Sequence, residues 1–250
     1  MTHLFTNKTI KYIANFLENY KSDAKLINIY QWPIDKAIGA LISLDSNSER
    51  DFESKHNVYD KTITAKEIVK KKLFSDISDD DKKKYVLWII KDWGGIKTVN
   101  KKTIFESIKE KEKNKSNNKV SFDCKSIASW SKYFAFKYPE EYAIYDARVI
   151  YSLNWLLFLN NSDFFFPSQN GRNSLMKALD YELLILTKKH STEHIKKEID
   201  KDIENRNKTS GSKSRVISNL KKKCYIKEKS AYLTYCMLLK SVAVMLYGEK

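Results

Sequence analysis

Glycine and proline are scarce in this chain, 6 and 3 in 250 residues. Closely spaced β-turns draw on these two residues for their special backbone angles. The shortage excludes a turn-rich all-β protein and predicts an all-α fold of long helices joined by polar loops. Cysteine is sparse too. Cys124, Cys224 and Cys236 are odd in number and far apart, which gives neither a disulfide framework nor a zinc or iron–sulfur signature. A reducing, cytoplasmic setting is expected. His190 and His194 lack an evident third ligand, so no metal is expected. Residues 1–20 contain no signal-peptide apolar core. The apolar stretch from Ala231 to Tyr247 is short and carries Lys240 at its middle, so it reads as a buried helix rather than a membrane span. Gly-rich nucleotide loops and Gly-x-Ser-x-Gly elbows are missing, and no cofactor is expected.

What is abundant is positive charge. Lysine and arginine number 46 against 31 acidic residues, a net charge of +15, and nucleic acid is the first partner such an excess suggests. Only five of the basic residues are arginine: Arg50, Arg148, Arg172, Arg206 and Arg215. Hydrophobic residues make up 42%, enough for one large core, and a single helical domain over residues 1–250 is expected, as a monomer. Apolar residues at helical spacing predict helices over 8–20, 33–44, 65–74, 79–92, 124–137, 146–160, 173–188, 191–205 and 228–247. Pro33 suits a first turn. Ser78 suits an N-cap, with Asp79, Asp80 and Asp81 at the positive helix end. Trp93-Gly94-Gly95 suits a helix stop. The charged stretch 108–120 reads as a helix end running into an exposed loop, and 206–223 as a basic loop.

The most informative segment is Ser-Lys-Tyr-Phe-Ala-Phe-Lys-Tyr-Pro-Glu-Glu-Tyr-Ala-Ile-Tyr-Asp-Ala-Arg-Val, residues 131–149. At about 100° per residue, Ile127, Trp130, Ser131 and Phe134 share one helix face. Lys132 falls at its border, with Ala128 and Ala135 on one side and Phe136 on the other. An amine held against apolar surface loses its proton more readily and becomes a nucleophile; a lysine there can also simply snorkel. Asp146 stands at the start of the next apolar periodic run. There a carboxylate caps the helix and stays ionised, which also suits it to face a developing positive charge. Arg148 can hold a phosphate or fix the Asp146 carboxylate. Trp93, Trp130, Tyr145 and Trp155 are aromatic candidates for stacking on an extruded base, or core side chains. Phe164-Phe165-Phe166-Pro167 reads as a lid on the cleft or an anchor to the core.

The pattern Ser-Lys, short aromatic helix, Pro, then Ile-Tyr-Asp-x-Arg-Val resembles the helix-hairpin-helix superfamily of DNA glycosylases, and most of all the divergent bacterial proteins with an 8-oxoguanine glycosylase fold. Asp146, Val149 and Asn154 follow that superfamily's spacing of aspartate, aliphatic residue and asparagine, and Trp93-Gly94-Gly95-Ile96 looks similar to a turn of the divergent group. The resemblance covers residues 85–175. It implies a helical glycosylase fold, DNA as partner, and removal of a modified or oxidised base with accompanying strand-lyase chemistry. Lys132 would attack C1′ and Asp146 would stabilise the oxocarbenium character. Base and DNA contacts would come from Trp93, Gly94 and Gly95 on one turn. Trp130, Ser131, Tyr145 and Arg148 would supply others around the pair, with Arg172 beyond. The superfamily's Leu-Pro-Gly-Val-Gly hairpin has no counterpart, since residues 119–131 hold neither glycine nor proline. The alternative is a basic helical protein of the same fold that binds nucleic acid without chemistry, as in phage defence.

Overall fold

The computed structural model describes residues 4–98, 100–116, 125–167, 181–208 and 223–248. Their regular elements are all helical: α1 Asn7–Glu18, α2 Asp23–Ile29, α3 Asp35–Leu44, α4 Glu49–Glu53, α5 Val58–Phe74, α6 Asp79–Leu87, α7 Lys101–Ser116, α8 Ile127–Lys137, α9 Ala147–Leu159, α10 Tyr181–Lys189, α11 Thr192–Lys208 and α12 Glu228–Tyr247. A single bridge, Phe165 with Tyr225, is the sole β-type pairing among the described residues.

Side-chain caps start several of these helices. Thr6 Oγ1 accepts the Thr9 N–H at 3.3 Å. Asn57 Oδ1 accepts that of Asp60 at 2.8 Å, and the Asp60 carboxylate takes the Asn57 amide in return at 2.7 Å. Ser78 caps α6 as expected, accepting from Asp81 N at 3.1 Å. Each satisfies a backbone donor that the first helical turn leaves open. Helix α3 departs from expectation by opening at Asp35, so Pro33 lies before the helix rather than in its first turn. Helix α5 begins at Val58, seven residues ahead of the expected 65. Its early turns, Val58-Tyr-Asp-Lys-Thr, are too polar for apolar spacing to reveal.

Helix α8 is the hub. It packs on α5, on α7 and on the turn that follows α6, and every residue from Trp130 to Phe136 is buried. A helix surrounded on all sides has no single apolar stripe. The border position read for Lys132 therefore does not exist: its residue is 4% exposed. Helix α7 extends through Ser116, so the charged stretch is helical over 108–116, and 117–120 lie outside the described residues. The helix is tied down by Glu112, whose Oε1 accepts from Tyr133 Oη at 2.7 Å and Lys137 Nζ at 2.5 Å. Helix α12 closes the core against α1. By length and composition it could cross a membrane, but here it buries Ala231, Tyr232, Tyr235, Cys236, Leu238 and Val242. Phe165 and Phe166 are buried at 1% and 0% exposure, so Phe164-Phe165-Phe166 anchors the chain to the core.

Candidate active site

The chain after α6 does not continue as an α-helix. Residues Trp88–Trp93 form a wider π-helical turn that buries Trp88, Ile89, Ile90 and Trp93. Such turns are uncommon and tend to sit at functional sites. This one ends against Lys132. A Cβ on Gly94 would lie 2.7 Å from both the Ile89 and Ile90 carbonyl oxygens and 2.9 Å from Lys132 Cδ. Glycine at 94 is thus required by space, with the lysine stem running over its bare Cα. The left-handed stop falls one residue later, at Gly95 with φ of 68°.

Lys132 Nζ donates to the Ala128 carbonyl one turn back, at 2.9 Å. It stands 3.8 Å from Asp146 Oδ2, an ion pair beyond hydrogen-bonding distance. Burial lowers the pKa of this amine below the ordinary 10.5; the Asp146 charge opposes that shift and the Arg148 charge adds to it. The result is an amine more easily freed of its proton than a lysine at its ordinary value.

Asp146 divides its two oxygens between two tasks. Oδ1 accepts the N–H groups of Arg148 at 3.0 Å and Val149 at 3.1 Å, capping α9. Oδ2 is left to face Lys132. The side chain is 27% exposed against 5% for Lys132, so the solvent side of the pair is the carboxylate. Arg148 meets Asp146 through its backbone N–H only. Its guanidinium lies 5.9 Å from the centroid of Trp32, so of the two roles open to it, fixing the carboxylate is not the one its side chain takes.

The segment leading into Asp146 belongs to neither helix nor sheet, and side chains hold it. Three consecutive carbonyls each face a side-chain hydroxyl: Ala143 with Tyr232 at 3.1 Å, Ile144 with Tyr235 at 2.7 Å, and Tyr145 with Ser131 at 3.4 Å. Ser131 Oγ also accepts the Tyr145 N–H at 3.0 Å. Ser131 therefore joins the helix of Lys132 to the loop of Asp146.

Trp130 and Tyr145 are wholly buried, each at 0% exposure. Trp130 Nε1 donates to Lys125 O at 2.9 Å and its ring packs edge-on against Tyr232; Tyr145 Oη donates to Pro167 O at 2.7 Å. Both are core side chains with no face open to a base. Trp155 is partly buried and stacks on Phe158. Trp93 is buried as well, at 7% exposure, and it is its chain neighbour Gly94 that meets the lysine stem. Trp93 Nε1 is buried without a hydrogen-bond partner, and the Trp93 carbonyl accepts from Trp32 Nε1 at 2.9 Å. Arg172 lies outside the described residues.

Four contributors escaped the sequence reading. Trp32 packs on Trp93 at 5.7 Å between centroids. Lys66 places Nζ 5.6 Å from the Phe136 ring and 6.0 Å from that of Trp93, with its pKa lowered by burial. Tyr232 and Tyr235 come from the far end of the chain. No motif marks these residues, because they meet the site only through folding. Among the described residues no group of three His, Cys, Asp or Glu side chains could hold a metal ion. No family model, curated protein or solved structure matches this chain.

Proposed function

We propose that this all-α chain has a helix-hairpin-helix glycosylase-like fold and acts on DNA as a glycosylase with lyase activity, removing a modified or oxidised base. The observation that carries the reading is the buried amine of Lys132 at 3.8 Å from a carboxylate oxygen that the helix cap leaves unused. The neutral amine attacks C1′. The C1′–N bond breaks, the base leaves with that electron pair and takes up a proton, and the amine gives up one of its own. The C1′–O4′ bond then breaks as the nitrogen lone pair forms the iminium and O4′ takes up a proton, and loss of a C2′ proton breaks C3′–O3′, the phosphate leaving with that electron pair. Asp146 Oδ2 stabilises the positive charge that grows at C1′ and O4′, a contribution that is large where water is excluded. The net charge of +15 supports a polyanionic partner.

A second reading, nucleic-acid binding without chemistry, draws on the burial of Lys132 at 4% exposure, since a sugar reaches Nζ only past Asp146. Borohydride trapping on duplexes carrying a panel of lesions separates the two. A covalent adduct mapped to Lys132 is the expected result. Salt-sensitive binding with neither adduct nor base release, across the whole panel, leaves only the second reading.

A further inference from the structure

The 3.8 Å separation between Lys132 and Asp146 depends on where residues 143–145 deliver the chain to Asp146, whose own carbonyl takes the Ile150 N–H at 3.0 Å; residues 143–145 lie outside any helix. They make no sheet ladder, and a buried carbonyl without a donor is costly. The donors are side chains from two helices. Ser131 belongs to α8, next to Lys132 itself. Tyr232 and Tyr235 stand three apart on α12 and so project from neighbouring positions on one face, reaching Ala143 O and Ile144 O. Their rings are locked as well as their hydroxyls. Tyr232 is flanked by Trp130 at 4.6 Å and Tyr142 at 6.0 Å, and Tyr235 by Tyr145 at 5.2 Å and Phe166 at 5.9 Å. At 0% and 1% exposure, neither hydroxyl can exchange its carbonyl for water.

We propose that Tyr232 and Tyr235 are positioning residues for Asp146: their two hydroxyls fix the segment that aims Oδ2 at the Lys132 amine, making α12 part of the reactive pair. Burial, with smaller contributions from Cys236 among the neighbours, holds both phenols protonated far above their ordinary range, so the two donors persist at any working pH. Removing either hydroxyl strands a carbonyl and lets the segment relax. Asp146 then retreats from Lys132, and the ammonium loses the one charge that supports it against burial and Arg148. The role in catalysis rests on the glycosylase reading; the coupling itself does not.

The test is the titration of Lys132 in the full chain, read from its 13Cε resonance and assigned by its disappearance in Lys132→Gln. Tyr232→Phe and Tyr235→Phe, separately and together, keep the rings and remove only the hydroxyls. Each is expected to lower the Lys132 pKa further, by about half a unit, and to move it by less than about 0.1 unit when Asp146 is already Asn, as a coupled pair requires. Phenylalanine variants that melt earlier yet leave the Lys132 titration unmoved overturn the proposal, because the hydroxyls are then merely structural. A shift that persists in the Asp146→Asn background overturns it too, because the effect then bypasses Asp146. Should Tyr235→Phe fail to fold, Tyr232→Phe decides alone. A Lys132 shift in protein that forms no adduct on damaged DNA leaves this coupling standing and the glycosylase reading fallen.

Discussion

Helix α8 carries two lysines five residues apart, Lys132 buried and Lys137 half-buried, and they are held in opposite ways. Lys137 is saturated. Its Nζ lies 2.5 Å from Glu112 Oε1 and 3.1 Å from Tyr133 Oη, and the Phe74, Tyr133 and Tyr138 rings surround it. Lys132 has one backbone carbonyl and a carboxylate kept at 3.8 Å. A tight partner returns to a buried ammonium much of what it lost on leaving water, whereas a distant one leaves the charged form under-supported. One helix therefore presents a structural lysine that locks α7 to α8, and another whose proton is held loosely. Composition makes them identical; the neighbours brought to each decide the difference.

Replacing each lysine by methionine is the sharpest way to break that contrast. Lys132→Met is expected to abolish the borohydride adduct, a loss of at least about 100-fold given that the nucleophile is gone. Lys137→Met is expected to keep trapping within about 3-fold, since it only loosens a distant contact. Peptide mapping that found the adduct on Lys137 would reverse the assignment. Glu112→Ala tests the other half. It strands the Lys137 ammonium and is expected to cost about 2 kcal/mol in urea denaturation, less than the removal of one partner from a fully buried pair because both groups keep some water. Adduct formation should be unchanged.

Gly94→Ala acts at the contact that separates the two lysines. Its methyl meets two backbone oxygens and the stem of Lys132. Denaturation should show a loss of about 1–3 kcal/mol, the usual cost of overpacking, together with slower trapping. An alanine variant as stable and as reactive as wild type would mean that the π turn yields freely. The smallest effect is the pH dependence. Unfolded, Lys132 keeps its proton up to the ordinary 10.5; folded, it releases it sooner. Between those two values the unfolded state binds more protons, so stability rises with pH across that window. Lys132→Met removes the titration, and wild type should gain on the variant as pH climbs through the window, as read by urea midpoints. The trapping rate should rise over the lower part of the same range and level off before 10.5.

Much of the fold could be read beforehand. Ser78 and Asp146 announced their caps, and the apolar run from 228 to 247 matched α12 residue for residue. The first half of α5 and the short helices α2 and α4 stayed hidden, because their polar turns are stabilised by contacts rather than by spacing. At the site, chain order singled out Lys132 and Asp146, and the structure brings them into an ion pair. Chain order also set Trp130 beside Lys132, but packing turns its ring against Tyr232, and it is the turn of Trp93 and Gly94 that meets the lysine stem.

The amino-acid sequence by itself determined the helical class, the strong positive charge and the identity of the lysine and the carboxylate, because composition, capping and periodicity are local properties. The tertiary structure alone decided that Lys132 is buried rather than bordering, that Gly94 is needed for room, and that α12 holds the approach to Asp146. Those depend on which surfaces meet, and burial, steric room and charge separation exist only once distant segments have packed together.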